Sequence, residues 1–309
     1  MRVRALGGVL ACVFAGLPAW AASFDCAKSG TAVEKRICAD AALSAADEAM
    51  AAAFAEAVKA APAPLSLRRE QARWLVETRN KASDLGKVMA ERAMELRSLA
   101  ARSREIAAPR VLASLAKECL SVLDDVDGDC KVEEAGVVKG APGPKLHYQV
   151  QAYKKDDYQS AGAVVVLAET APGQGIPLFW PGSDSAYFGA PLVFAHPAGA
   201  LLDLPGNLDG TGHFSAETLY AWHGGAWREV DIESWAGAMG RRLPAGLEVW
   251  KGVYPDWKTM TAQTPLWRAG DGNCCPSGGM AYVNLGLRGE VVVLESMRVT
   301  KQMPPEYQH

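Results

Sequence analysis

Between Gly140 and Pro144 the chain reads Gly-Ala-Pro-Gly-Pro, and its apolar periodicity changes there from helical to extended. A chain with apolar residues every three or four positions before such a break and strand-like runs after it cannot be built from one layer type. Composition changes with it. Residues 23–109 are rich in Ala, Leu, Arg and Glu, whereas from about Lys145 onward Gly, Pro, Trp, Val and Tyr predominate.

The first 21 residues read as a secretory signal, with Arg2 and Arg4 at the start, an apolar stretch from Leu6 to Leu17, and an A-x-A cleavage site at Ala19-Trp20-Ala21. A lipid anchor on Cys12 is the rival reading, but Leu10 stands where a small residue is expected. No later segment reaches the ~18 apolar residues of a membrane span. The mature chain is therefore expected in the periplasm or outside the cell, with no membrane span. Its 288 residues exceed what one core usually organises. The expected order is a helical domain over 22–106, a connector over 107–145 and a Trp-rich β domain over 146–303.

Thr31-Ala32-Val33-Glu34 has the form of a capping box, which predicts a short helix to Cys38. Ser44-Ala45-Ala46-Asp47 reads as a second start, with Leu43, Asp47, Met50, Phe54 and Val58 on one face of a helix to about Ala60. Pro62 and Pro64 break it. A third helical stretch is predicted from Leu67 to about Arg104, bent at Gly86, with Trp74, Leu85, Met89, Leu96 and Leu99 facing inward. Val111 to Leu123 reads as one more helix. The acidic run Asp124 to Asp129 fails the EF-hand spacing in either register and reads as a solvated turn.

Strands are predicted at Leu146–Tyr153, Ala161–Leu167, Pro191–Phe194, Ala216–Trp222, Met280–Leu287 and Val291–Glu295, with one helix from an Asp231 cap through Leu243. The fold class is α+β, a helical hairpin domain followed by a mostly antiparallel β domain with one packed helix.

Six cysteines survive processing: Cys26, Cys38, Cys119, Cys130, Cys274 and Cys275. An even number in an exported chain argues for disulfides, and spacing alone does not choose among the pairings. Cys119 and Cys130 could close the acidic turn, or either could reach Cys274 or Cys275. A bond between the adjacent Cys274 and Cys275 is disfavoured by disulfide geometry, so a long-range bond to that loop is expected. No C-x-x-C pair and no suitably spaced His suggests a metal, and no cofactor is expected.

Charge excludes one class of partner. Residues 23–109 carry 14 Lys and Arg against 12 Asp and Glu, and the rest of the mature chain carries 16 against 23, so nucleic acid is not an expected partner. No nucleophile elbow, zincin helix, phosphate loop or dinucleotide fingerprint occurs, so a non-catalytic protein is expected, with a hydrolase of no recognisable motif as the third reading, open for the C-terminal domain. Seven tryptophans lie between Trp180 and Trp267. Exposed rings beside acids and amides suit sugar faces, and the turn Tyr254-Pro255-Asp256-Trp257 is the best candidate to present one. Tyr254, Asp256 and Trp257 are thus the candidate ligand-binding residues, for cell-wall glycan.

The motifs F-D-C (to Cys26), V-E-K-x-I-C (to Cys38) and Q-x-x-W-L-x-x-x-R (Gln71 to Arg79) resemble those of the LprI-like lysozyme-inhibitor family of bacterial envelope proteins, over about residues 23–104. The resemblance implies a disulfide-clasped helical domain in which Glu34, Asp47, Gln71, Trp74 and Arg79 are motif residues with structural roles. It also implies an inhibitory or binding function, with a lysozyme or another envelope protein as partner. Family members typically carry a further cysteine pair after the Trp-Leu stretch, and here none occurs between Cys38 and Cys119. The resemblance therefore implies a Cys26–Cys38 bond.

Overall fold

A computed structural model describes residues 22–123, 129–154 and 160–303. The expected signal segment and most of the acidic turn, Asp124 to Gly128, lie outside the described residues. The fold is α+β, helical first and then mostly antiparallel β. The described residues divide into two compact units. One takes those up to Ala57 and Arg73–Ser98, and the other Val58–Ala72 and those from Leu99 onward. Segments 58–72 and 99–106, placed by the sequence in the helical domain, thus cluster with the β part.

In the first unit, α1 (Ala32–Ala39) opens with the expected capping box: the Glu34 amide donates to the Thr31 hydroxyl at 3.1 Å and the Thr31 amide to the Glu34 carboxylate at 2.8 Å. These amides hold the Glu34 carboxyl below its usual range. A Cys26–Cys38 disulfide ties the preceding turn to this helix. Helix α2 (Ala41–Ala60) starts earlier than expected, because Asp40 accepts the amides of Ala42 and Leu43. Ser44 instead donates its hydroxyl to the Ile37 carbonyl. The buried stripe of α2 is Ser44, Asp47, Met50, Ala53 and Ala57, with Phe54 and Val58 only half-buried.

The expected third helix is two helices, α3 (Pro64–Glu77) and α4 (Leu85–Ile106). The break lies before Gly86: Arg79 sits in a short 3-10 turn and Asp84 restarts the helix by accepting the Lys87 amide. Leu85, Met89 and Leu96 are buried as expected, but Leu99 is exposed. Trp74 is half-buried under the Arg92 guanidinium, 5.8 Å from the ring centroid. Arg79 reaches Asp47, whose fully buried carboxylate also accepts the amide and hydroxyl of Ser23.

The second unit contains five sheets, their strands numbered along the chain. The first runs β1 (Arg110–Val111), β5 (Gln174–Phe179), β4 (Ser160–Ala171), β3 (Leu146–Lys154) and β2 (Cys130–Val137), with β6 (Gly182–Ser183) paired to β4. β7 (Ala186–Phe188) pairs with β10 (Gly206–Leu208). β12 (Ala226–Glu229), β11 (Thr218–His223), β9 (Leu201–Leu204) and β8 (Leu192–Phe194) form the next sheet in that order. β13 (Leu247–Glu248) pairs with β15 (Trp267–Arg268), and β14 (Thr261–Pro265), β16 (Met280–Arg288) and β17 (Val291–Thr300) form the last. Every named ladder is antiparallel.

The apolar run Ala161–Ala168 makes β4 a strand buried on both faces. Val164, Val166 and Ala168 enter a core with Leu146, Phe179, Leu202, Leu204 and Tyr220. Ala163, Val165 and Leu167 enter another with Ile106, Leu115 and Val122. The segment that supplies Leu115 and Val122 is not the expected helix, and only Leu112–Ser114 forms a 3-10 turn. Its backbone is claimed by a buried side chain instead: Gln149 donates to the Leu115 and Glu118 carbonyls and accepts the Leu120 amide at 3.0 Å. Both ends of the expected connector are therefore part of the first sheet or packed on it. Cys119 is bonded to Cys130 at the start of β2.

The Asp47 carboxylate makes a sharp test of the first unit. Asp47→Ala leaves Arg79, only 8% exposed, without its counter-charge, and the expected loss of stability is about 3–5 kcal/mol. Urea unfolding measures it, and a loss below about 1 kcal/mol would show that the pair does not hold the unit together.

Candidate functional site

The site grows from one strand. β9 reads Leu-Leu-Asp-Leu and is buried at all four positions. Leu202 and Leu204 face the core shared with β4, so alternation sends Leu201 and Asp203 to the opposite face. There Asp203 pairs in register with Leu219 of β11, and Glu217, one pleat earlier, falls diagonally beside it. The two carboxyl groups are hydrogen-bonded to each other. Burial first, and the Glu217 charge second, push the Asp203 carboxyl up to about 9. Asp203 therefore keeps its proton at neutral pH. Burial also raises the Glu217 carboxyl, against hydrogen bonds from the Trp257 indole, Asp203 and the Ser215 hydroxyl. Asp203 Oδ1 has no partner, which a neutral carboxyl bears far better than a charged one.

Glu217 lies in the wall of a cavity of 660 Å³. Helix α5 (Ser234–Arg242) lines it through Trp235 and Met239, the segment that follows lines it through Leu247, Glu248, Val249, Val253, Pro255 and Trp257, and Phe214, 52% exposed, is part of the lining too. Asp231 sets α5 in place, as expected, by accepting the amides of Glu233 and Ser234 and the Ser234 hydroxyl. Burial pushes the Asp231 carboxyl up, but these donors together with Arg69 hold it below its usual value. Arg69 pairs with Asp231 at 3.2 Å and Glu233 at 3.4 Å. Beside it, buried Glu229 of β12 accepts the Leu65 amide at 2.6 Å and the Ser66 amide at 3.1 Å. A carboxylate from a strand thus caps the Pro64 start of α3, where the free amides and the helix dipole favour negative charge.

A second hollow of 520 Å³ is lined by Tyr254, Asp256, Gln263, Tyr282 and Asn284, among others. Its Tyr282 ring carries the Arg298 guanidinium 4.5 Å from the centroid. The turn 254–257 borders both hollows, since Pro255 and Trp257 line the first and Tyr254 and Asp256 the second.

The expected ligand trio is therefore split. Trp257 is not presented to solvent: it is 2% exposed and its indole N–H donates to Glu217. The reason is local. Asp256 spends its carboxylate on the amides of Lys258 and Thr259, closing a turn that folds the next side chain inward. Tyr254 does stay at the surface, 44% exposed, with its hydroxyl on the His213 carbonyl. Cys274 and Cys275 are bonded to each other, so the expected long-range bond is absent. Of the residues that the sequence resemblance singled out, Cys26, Cys38, Glu34, Asp47 and Arg79 form the internal ties described above. Trp74 stacks under Arg92, and Gln71 is buried.

Sequence reasoning missed Asp203, Glu217 and Glu229. The one available signal was an acid inside the apolar run Leu201–Leu204. No group of three or more His, Cys, Asp or Glu side chains placed to hold a metal occurs among the described residues. No described helix is long and apolar enough to cross a membrane. In comparisons with known proteins, no family model matches this chain and no curated protein matches it.

The shared proton has a measurable consequence. Below 3.8, the ordinary Asp value, both folded and unfolded chains hold the Asp203 proton; between there and about 9 only the folded chain does. Stability should fall as pH rises through that window, by up to about 1.4 kcal/mol per pH unit. Urea midpoints across the window should show this decline in the wild type and a flatter profile in Asp203→Asn. Equal slopes would show that Asp203 is ionised in the folded protein.

Proposed function

We propose that this is an exported, non-catalytic envelope protein that binds glycan strands of the cell wall across the two hollows of its β unit. The observation that carries this reading is their adjacency on either side of the turn 254–257. Each combines aromatic side chains with planar acceptors: Phe214 with Glu217 in one, Tyr254 and Tyr282 with Gln263 and Asn284 in the other. Rings accept the C–H faces of pyranoses, while carboxylates and amides take their hydroxyls. Two such hollows in succession suit a chain of sugars better than a single small molecule.

The carboxyl pair favours binding over hydrolysis. Glycosidases hold their two carboxyls apart, by about 5–9.5 Å, on either side of the scissile bond. Asp203 and Glu217 bond to each other and share a proton. The three disulfides agree with an oxidising compartment outside the cytoplasm.

Calorimetric titration of the mature protein with soluble peptidoglycan fragments and with linear N-acetylglucosamine oligomers tests the proposal. Binding should weaken at least about tenfold, about 1.4 kcal/mol, in Tyr254→Ala and in Glu217→Gln, with no new reducing ends released. Absence of wild-type binding, or undiminished binding in both variants, would overturn it.

A second reading, a lysozyme inhibitor, draws support from the Cys26–Cys38 clip and the Asp47–Arg79 pair, which use the motif residues as the family resemblance implies. Because Asp47 and Arg79 are buried and the two cysteines are spent on each other, an inhibitory surface would have to come from other residues of the same unit, such as the exposed Val76 and Met94. A lysozyme turbidity assay with the mature protein decides it: protection of the cells supports inhibition, and unimpeded lysis at micromolar excess removes it.

A further inference from the structure

We propose that the Cys274–Cys275 bond is a reversible thiol–disulfide exchange site whose redox state sets the packing of the β13 wall of the large cavity. Its substrate class is an exposed protein dithiol. Three observations converge on it.

The bond has no evident structural purpose. Cys26–Cys38 and Cys119–Cys130 join residues 12 and 11 apart, whereas Cys274 and Cys275 are neighbours. Cross-links stabilise chiefly by restricting the unfolded chain, increasingly with the length of loop closed. A bond between adjacent residues closes almost none.

It is also the one exposed at both of its residues. Cys274 and Cys275 are both exposed, whereas the Cys26–Cys38 bond has only Cys26 exposed and Cys119 and Cys130 are both half-buried. Exchange needs a thiolate to reach a sulfur, so access orders the three bonds.

Finally, the loop is wired to the cavity. Asp271 clamps its two ends by accepting the Arg268 amide at 2.7 Å, the Ser277 amide at 2.8 Å and the Ser277 hydroxyl at 2.8 Å. Within the clamp, the Gly272 carbonyl accepts both the Cys275 amide at 3.0 Å and the Trp267 indole N–H at 3.2 Å. Trp267 is 1% exposed, stacks on Trp250 at 6.0 Å between centroids, and pairs in register with Glu248. Trp250 in turn donates to the Glu248 carboxylate at 3.0 Å. Leu247, Glu248 and Val249 line the cavity. Gly278, beyond the clamp, lies so close to Leu247 that an added Cβ would sit 2.9 Å from its Cδ2.

In the exchange, a thiolate of the reductant attacks one of the two sulfurs, forming a mixed disulfide and releasing the other as thiolate. The second thiol of the reductant then displaces the bound cysteine. The dithiol becomes a disulfide, and its two electrons and two protons end on the Cys274 and Cys275 thiols. With the eight-membered ring opened, Cys275 is no longer held to the position from which its amide reaches Gly272, and the Trp267 contact to the same carbonyl loosens.

The mature protein, titrated with dithiothreitol under native conditions, alkylated and peptide-mapped, provides the test. Cys274 and Cys275 should label at dithiol concentrations that leave the other two bonds intact. Hydrogen exchange of residues 247–249 and 266–268 should rise several-fold with that labelling and return on reoxidation. The double variant Cys274→Ser, Cys275→Ser should show the raised exchange without reductant and no further change with it. Reduction of all three bonds together would overturn the exchange site, and selective labelling with unchanged exchange in those segments would overturn its link to the cavity. The titration of the wild type decides both points even if the double variant folds poorly.

Discussion

The β unit depends on strands that are buried on both faces. β4 supplies this with an eight-residue apolar run whose alternate side chains enter two different cores, so it must sit between layers and be paired along both edges. β9 is the second such strand, and it carries an acid. A carboxylate at a doubly buried position is costly to keep charged, and among the described residues the charge that acts on Asp203 is that of another acid, Glu217. Protonation is the remaining solution, and one proton held between Asp203 and Glu217 serves both. The carboxyl pair at the cavity is thus a direct product of the layering.

Legibility in the sequence followed the range of the interaction concerned. Strands such as Met280–Arg288 and the capping box at Thr31 and Glu34 are written in contiguous residues, and both were readable. Errors arose where a distant side chain replaced a local bond. Val111 to Leu123 has helical periodicity, and Leu115 and Val122 are indeed buried, but Gln149 takes the backbone groups that a helix would have used. The break after Glu77 is of the same kind, since Arg79 turns out of the helical path to meet Asp47. Glu229 capping Leu65 and Ser66 spans over 160 positions and left no trace in either segment.

The candidate site was half legible for a related reason. Tyr254, Asp256 and Trp257 do border the hollows, so the turn was found, but composition cannot say which of its side chains face out. Pro255 and Asp256 fix the path of the backbone. The turn folds Trp257 inward, and the group that receives its indole N–H, Glu217, lies 40 residues away. The acid pair is joined only through the β9–β11 register, and no local pattern marks it except an acid among leucines.

The disulfides sort by what the surrounding chain can do without them. The turn Cys26–Lys28 has no buried residue and α1 buries only Ile37, so burial alone holds that segment weakly and a cross-link supplies what the core does not. Cys119–Cys130 likewise fastens an irregular segment, held on one side by Gln149, to the first strand that follows it. The segment around Cys274 and Cys275 needs no such help, because Asp271 already joins its ends through three hydrogen bonds and Trp267 anchors its middle. A covalent bond added where polar contacts have already joined the loop's ends, and placed where solvent reaches both residues, constrains only the Cys275 amide and the contacts that share its acceptor. What it adds is a link that reductants can open and oxidants can close.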